Sequence, residues 1–240
     1  MKENSLKIIS LNIEKDKHLD RVIPFLKQEK PDVVLLQEVL FKDIPQLKEE
    51  LEMNHAYAIM KVLIRGGEQY PFGIATFSSL PIVKNYSAYY RGEGVNPPVV
   101  PEGNPLNTAQ TILVTEVLKD DQTYCLVNTH FTWTPDGNAS DLQHQDLNSL
   151  LALLSPLSDF ILCGDFNAPR GRVIFDKIAS RYKDNIPAHI TTTIDKNLHR
   201  AGDLQLVVDG LFSTPKYRVE SVELFDNLSD HLAISANVFV

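Results

Sequence analysis

The chain has 240 residues, of which 43% are hydrophobic and 22% are charged. This length and composition are typical of a folded protein with a sizeable core, and they exclude an intrinsically disordered chain. The formal net charge of -8 argues against a long basic surface for nucleic acid, although it leaves room for a locally positive groove and suits a site that binds a cation.

We expect a cytoplasmic protein without a membrane partner. No apolar run reaches the roughly 20 residues that span a bilayer, and the opening MKENSLKIIS lacks the apolar segment of a signal peptide. Cys125 and Cys163 fall in predicted strands and are interpreted as buried free thiols, as in a reducing compartment. No pattern argues for an oligomer, so we expect a monomer by default.

The hydrophobic pattern predicts helices that alternate with runs of strands. In chain order it predicts a strand at 6–13, a helix at 18–29, a strand at 32–39, a short helix at 43–52, strands at 55–64, 72–78, 81–90, 108–118 and 123–131, a helix at 140–155, a strand at 159–166, a short helix at 171–180, and strands at 204–213, 217–224 and 232–240. Pro24 is expected to kink or shorten the first helix, and Ser140 is the predicted N-cap of the third. The apolar stripe of the third helix consists of Leu147, Leu150, Leu151 and Leu154.

Residues 91–107 are rich in Gly, Pro and Asn and predict a long loop, which is either functional or a plain surface excursion. Crossover helices occur together with strand-after-strand hairpins along the chain. This mixture predicts an α/β fold of two mixed β-sheets packed face to face, with helices outside, in a single domain of residues 1–240.

Polar residues stand where several of the apolar strands end. They are Asn12 and Glu14, Gln37 and Glu38, Asn128 and His130, Asp165 and Asn167, Asp209, and Asp230 and His231. Residues two apart in a strand share a face, and a buried carboxylate is costly unless it is paired, hydrogen-bonded or bound to a metal. Each residue alone is explained as a cap or a half-buried polar group. Together they predict one polar centre.

The motifs SLNIE, LLQEV, FGIATFSSLPI, NTH, GDFNAP, VVDGLF and SDHLAI occur in this order between residues 8 and 234. This set resembles the endonuclease/exonuclease/phosphatase superfamily of metal-dependent hydrolases with a DNase I-like fold. The resemblance implies a four-layer α/β sandwich, in which two packed mixed β-sheets are flanked by helices and the site lies at one edge.

The resemblance also implies a role for each matching residue. The implied metal-side residues are Asn12, Glu38 and Asp230, with Glu38 as the main ligand of Mg²⁺ or Mn²⁺. The implied catalytic residues are His130, Asp165, Asn167, Asp209 and His231. Asp209 would orient His231, and His130 would contact the substrate phosphate. The general base is either Asp165 or the His231–Asp209 pair, and the sequence does not decide between them.

The predicted function is Mg²⁺-dependent hydrolysis of phosphodiester bonds in nucleic acid or a nucleotide-containing diester. The alternative is a phosphomonoesterase for a small phosphorylated molecule. A non-catalytic binding module would be expected to lose part of the catalytic set, and no member is missing. The candidate substrate-binding residues are Glu14, Trp133, Arg170, Arg172, His199 and Arg200. Trp133 either stacks on a base or anchors its loop, and the four cationic residues either clamp phosphates or are solvated surface charges.

Overall fold

The computed structural model describes residues 5–105 and 107–240 of the chain. The described residues do not include residues 1–4, which begin the segment that we expect not to be a signal peptide, or Leu106 of the predicted loop. The strands are β1 (Leu6–Asn12), β2 (Val33–Leu40), β3 (Asn54–Arg65), β4 (Glu68–Ser78), β5 (Ile82–Arg91), β6 (Val99–Pro101), β7 (Gln110–Lys119), β8 (Gln122–His130), β9 (Ile161–Asp165), β10 (Lys183–Asp184), β11 (Asp209–Ser213), β12 (Arg218–Phe225) and β13 (Ala233–Phe239). The α-helices are α1 (Leu19–Glu29), α2 (Ile44–Leu51), α3 (Asp141–Leu154) and α4 (Val173–Ala179).

The strands form two mixed sheets. The seven-stranded sheet has the order β12-β13-β1-β2-β4-β3-β6, and the six-stranded sheet has the order β10-β11-β9-β8-β7-β5. In each sheet one central pair is parallel, β1 with β2 and β8 with β9, because the helix between its strands carries the chain back to the same end. The carboxyl ends of β1 and β2 therefore lie side by side in one sheet, and those of β8 and β9 lie side by side in the other.

The alternation of side chains along the central strands produces four layers. One face of each sheet packs against the other sheet, through residues such as Ile8, Leu35, Leu126 and Cys163. The opposite faces pack against the helices. The outer faces of β1 and β2 pack against α1 and α2, and the outer faces of β8 and β9 pack against α3 and α4. The predicted four-layer α/β sandwich is confirmed.

Several local predictions are confirmed as well. The Ser140 hydroxyl caps α3 by accepting a hydrogen bond from the backbone N–H of Gln143 at 3.1 Å, and the predicted leucine stripe of this helix is buried. Both cysteines are free, although only Cys163 is buried and Cys125 is half-buried. In the described part of the chain, no helix has the length and apolar character needed to cross a bilayer.

Three local predictions need correction in part. Pro24 does not shorten α1, which extends from Leu19 to Glu29 with the proline inside it, and the alternative of a kink stays a prediction. The loop at 91–107 contains β6, which pairs in parallel with β3. The strand predicted at 204–213 is confined to Asp209–Ser213, because the backbone of 206–208 bonds to loop residues, among them Phe166, Arg170 and Thr193, instead of to a neighbouring strand.

Candidate active site

The polar strand ends meet in one cavity of about 250 Å³. The predicted site residues that line it are Asn12, Glu14, Glu38, His130, Trp133, Asp165, Asn167, His199, Arg200, Asp230 and His231. The sheet register brings them together. Asn12 pairs with Gln37 across β1 and β2, His130 pairs with Asp165 across β8 and β9, and Asp209 opposes Asp165 from β11.

Asp165 lies at the centre of the polar cluster. The residue is only 1% exposed. The Asn12 amide donates to Asp165 Oδ2 at 3.1 Å, and the backbone N–H of Asn167 donates to Oδ1 at 2.8 Å. The Nε2 atoms of His130 and His231 lie 3.5 and 3.7 Å from Asp165 Oδ2. Burial raises the pKa of Asp165 above its ordinary value, although both histidines oppose the shift.

Close packing of β8 on β9 fixes the position of Asp165. At Gly164 a Cβ atom would lie 1.9 Å from the carbonyl oxygen of Thr129, so only glycine allows the two strands to approach this closely. Asn167 then adopts a left-handed backbone conformation, with φ of 50°, and its side-chain amide donates to the carbonyl of Phe131 at 3.0 Å. The connection after β9 is thereby tied to the end of β8.

Asp209 contacts His231 and is not among the residues that line the cavity. The two side chains form a hydrogen bond of 2.9 Å between His231 Nδ1 and Asp209 Oδ2. The hydroxyl of Thr193 accepts hydrogen bonds from the backbone N–H groups of Val208 and Asp209, which fixes the start of β11. Burial disfavours the charged imidazole, but Asp209 and Asp165 outweigh it and raise the pKa of His231 well above its ordinary value.

Glu38 reaches the cavity because β2 is irregular at this point. Regular alternation would direct Glu38 toward the helix layer, where Val34 and Leu36 pack. Instead, the pairing of β2 with β4 shifts register between Leu36 and Val39, and Glu38 has a φ of 60°. This conformation costs roughly 1–3 kcal/mol for a non-glycine residue, so the surrounding structure must hold it.

Asn128 bridges the two sheets at this irregularity. Its side chain is fully buried, with 0% exposure. The amide donates to the carbonyls of Leu36 and Ala75 at 3.0 Å each, and its oxygen accepts from Gln37 Nε2 at 2.8 Å. These three bonds connect β8 of one sheet to β2 and β4 of the other, beside Glu38.

Among the described residues, the Glu38 carboxylate forms an ion pair with Lys15, whose ammonium lies 3.4 Å from Oε2. Burial would raise the pKa of Glu38, but the positive charges of Lys15, His130, His231 and Lys61 outweigh it and lower the pKa below its ordinary value. Glu38 is therefore held as an anion at the cavity wall.

Asp230 lines the same cavity as Glu38, and its backbone is held by a hydrogen bond. The backbone N–H of Asp195 donates to the carbonyl of Asp230 at 2.9 Å. The Asp195 side chain, 1% exposed, accepts hydrogen bonds from the backbone of Asn197, Leu198 and Asn227, so it holds the loop that carries His199 and Arg200. Burial raises the pKa of Asp230.

The other predicted contact residues differ in their surroundings. Glu14 accepts from Lys17 and contacts His18 Nε2 at 3.0 Å, while Trp133 is half-buried at the cavity wall. Arg170 and Arg172 are not among the lining residues. Arg170 pairs with Asp184 at 2.8 Å and donates to backbone carbonyls at 186, 187 and 190, and Arg172 donates to the carbonyl of Asp136. Both guanidinium groups bind the protein's own loops, and their predicted contact with substrate stays a prediction.

Two positions in the site could hold a cation. Asp165, Asp209 and His231 offer donor atoms within 4.8 Å of one another. Their donors are already engaged, since Asp209 bonds His231 and both oxygens of Asp165 accept hydrogen bonds. Within residues 5–105 and 107–240, Glu38 has only the long contact to Lys15, and its oxygens suit a hard cation such as Mg²⁺. The donor chemistry therefore favours the Glu38 side of the cavity.

A sequence profile described as the Endonuclease/Exonuclease/phosphatase family matches residues 9–231. No curated protein matches the sequence significantly. An endonuclease/exonuclease/phosphatase from Bacteroides vulgatus has the same fold, with a TM-score of 0.75 at 18% identity over 99% of this chain and 100% of that one.

Two further solved structures are similar. A mannosyl-6-phosphatase from Bacteroides thetaiotaomicron gives a TM-score of 0.73 at 14% identity, over 98% of this chain and 100% of that one. The human Nocturnin catalytic domain with a bound sulfate anion gives 0.73 at 16% identity, over 98% and 94%. At these identities the likeness shows the fold alone.

Proposed function

The chain belongs to the endonuclease/exonuclease/phosphatase family, and on this basis we propose that it is a Mg²⁺-dependent phosphodiesterase. Its substrate would be nucleic acid or a nucleotide-containing diester. The observation that carries the proposal is the convergence on Asp165 of Asn12, His130 and His231, each within 3.1 to 3.7 Å, in the cavity that Glu38 also lines.

We assign the metal, Mg²⁺ or Mn²⁺, to Glu38 with Asn12 and Asp230 beside it. Carboxylate and amide oxygens are the donors that such hard cations prefer. Bound there, the ion would supply Lewis-acid polarisation of the phosphoryl and leaving oxygens. Lys15 is the group that the cation would have to displace or share, because its ammonium lies 3.4 Å from Glu38 Oε2.

We assign the general base to Asp165. A raised pKa makes a carboxylate a stronger base, and the hydrogen bonds from Asn12 and the Asn167 backbone fix its orientation. Asp165 would accept a proton from the attacking water as the new P–O bond forms and the bond to the leaving oxygen breaks.

We assign the cationic role to His231. Its raised pKa keeps the ring protonated near neutral pH, with Nδ1–H donating to Asp209. Nε2–H is then directed toward the cavity and can donate to a phosphoryl oxygen, where negative charge develops in the transition state. His130 Nε2, on the other side of Asp165, would make a second such contact.

The wall that carries Trp133 favours a nucleotide-type substrate. Met60, Leu63, Phe72 and Trp133 line the cavity and offer apolar surface beside the polar centre. A base or sugar face could pack there, and stacking on an aromatic ring contributes about 1–3 kcal/mol per base.

A phosphomonoesterase is the second candidate, favoured by the size of the cavity. Its volume of about 250 Å³ lies below the roughly 300–1,000 Å³ of ordinary ligand pockets. A small phosphorylated molecule would fit such a cavity without a long groove. The acidic net charge of -8 is also compatible with a small substrate.

The test is a substrate panel of single- and double-stranded DNA, RNA, bis-p-nitrophenyl phosphate and phosphomonoesters, each with Mg²⁺ and with EDTA. Asp165→Asn is the test variant, and Asp121→Asn, in the exposed turn between β7 and β8, is the matched control. We expect Mg²⁺-dependent diester cleavage that Asp165→Asn lowers at least about a hundredfold. Hydrolysis of monoesters alone would replace the diesterase proposal with the second candidate.

A further inference from the structure

Lys61 is a buried cation that faces the active-site cavity. The residue is only 8% exposed and lines the cavity together with Glu38 and His130. Its ammonium donates to the backbone carbonyl of Asn104 at 3.2 Å and lies 4.8 Å from the centroid of the Phe72 ring. Within residues 5–105 and 107–240, no carboxylate forms an ion pair with it.

Burial of this ammonium is unfavourable for the fold. Transfer of an unpaired ion from water into a protein costs several kcal/mol, and the contacts with one carbonyl and one aromatic ring offset only part of this free energy. Accordingly, burial lowers the pKa of Lys61 below its ordinary value. A lysine in this position stabilises the protein less than an apolar side chain of similar length would.

Two carboxylates that line the cavity with Lys61 already have cationic partners. Glu102 lines the same cavity, but it forms a two-pronged ion pair with Arg65, at 2.7 and 2.8 Å. Glu38 contacts Lys15 and is the residue we assign to the metal. A cation bound at Glu38 would compensate that carboxylate, whose negative charge otherwise favours the charged form of Lys61.

An irregularity in β3 brings Lys61 to the buried face. Ala58 and Met60 alternate on that face, so regular alternation would place Lys61 on the more exposed side. Instead, the pairing of β3 with β4 shifts register between Ile59 and Lys61. Gly73 permits the shift, because a Cβ atom there would lie 2.0 Å from the carbonyl oxygen of Ala58.

We propose that Lys61 binds an anionic phosphoryl oxygen of the substrate inside the cavity. The inference rests on the proposed function and adds a substrate-binding residue that the strand-end pattern does not contain. An ammonium in a site of low polarity forms charge-assisted hydrogen bonds to phosphate oxygens, and such a bond offsets the cost of burying both groups.

The test measures binding of inorganic phosphate without turnover, by calorimetry and by the shift in melting temperature, in EDTA and in Mg²⁺. Lys61→Met removes the charge, and Lys61→Gln keeps a donor for the Asn104 carbonyl. Lys84→Met, on exposed β5, is the matched control. We expect both Lys61 variants to weaken phosphate binding at least about tenfold, with the control unchanged. The melting temperature of phosphate-free Lys61→Met should equal or exceed that of the wild type.

Three results would overturn the inference: no phosphate binding by the wild type in either condition, wild-type affinity in both Lys61 variants, or a lowered melting temperature with unchanged affinity. The last would assign Lys61 to the fold. Lys61-dependent phosphate binding in a protein that hydrolyses no ester would contradict the proposed function alone. Metal-dependent hydrolysis with unchanged phosphate affinity in the Lys61 variants would contradict this inference alone.

Discussion

Replacement of Asn128 by alanine tests the idea that the inter-sheet bridge holds Glu38 in position. The substitution removes two donors from the carbonyls of Leu36 and Ala75 and the acceptor of Gln37 Nε2, all in a fully buried environment. Gln37 Nε2 keeps weaker contacts to the Leu35 carbonyl and the Ser10 hydroxyl, so two carbonyls carry most of the loss. At about 1–3 kcal/mol for each buried group without a partner, the free energy of unfolding should fall by about 2–5 kcal/mol.

The assay is urea unfolding of the wild type, Asn128→Ala and Asn85→Ala, where Asn85 is exposed on β5. The control should change the free energy of unfolding by no more than about 0.5 kcal/mol. Because Glu38 needs its strained backbone held, metal-dependent hydrolysis at a temperature where Asn128→Ala stays folded should also fall. A loss below about 1 kcal/mol, together with unchanged activity, would refute the bridging role.

Three further predictions follow from individual contacts. Gly164→Ala should lower the free energy of unfolding by several kcal/mol, because the added Cβ would clash with the Thr129 carbonyl at 1.9 Å. An unchanged urea midpoint would show that β8 and β9 can move apart at little cost in free energy. In EDTA, the protonated His231 should contribute its full stabilisation below the ordinary histidine pKa of about 6.5, and this contribution should be lost as the pH rises through the raised pKa of the folded protein. Asp209→Asn should flatten this pH dependence of the melting temperature. Parallel curves for the wild type and the variant would contradict the assignment. Ser140→Ala should cost about 1 kcal/mol in urea unfolding through loss of the α3 cap, and no measurable change would mean that the cap contributes nothing.

The layers of the fold were predictable because they depend on hydrophobic periodicity. The leucine stripe of α3 and the apolar runs of β2 and β9 determine which faces are buried, and those faces permit few packings. The false strand at 204–208 shows the limit of this reasoning. An apolar segment can satisfy its backbone through a neighbouring loop as well as through a sheet, and periodicity does not distinguish the two.

The cluster around Asp165 was predictable for a similar reason. Asn12, His130 and Asp165 end strands that the parallel pairings bring to one edge, so strand ends alone indicate that they meet. The direction of Glu38 was not predictable from alternation, because it depends on a register shift and a left-handed residue. Its role was read from the LLQEV motif instead.

Residues that act from irregular or remote positions were missed. Lys61 reaches the cavity through the register shift in β3, and Lys15 does so from a residue with a φ of 66°. Thr193 and Asp195 stand far from the recognised motifs in the chain, and their role depends on tertiary hydrogen bonds. The one available signal was Gly73 within FGIATFS, since a glycine inside a strand often marks a bulge.

We propose that Glu38 holds a divalent cation that phosphoester hydrolysis requires. The most direct measurement is the rate of bis-p-nitrophenyl phosphate hydrolysis as a function of Mg²⁺ concentration for the wild type, Glu38→Gln and the control Glu49→Gln, on the exposed face of α2. We expect no hydrolysis in EDTA, saturation with Mg²⁺ for the wild type and control, and at least about a tenfold weaker apparent Mg²⁺ affinity for Glu38→Gln. Hydrolysis that persists in EDTA, or a Glu38→Gln curve that coincides with the wild type, would contradict it.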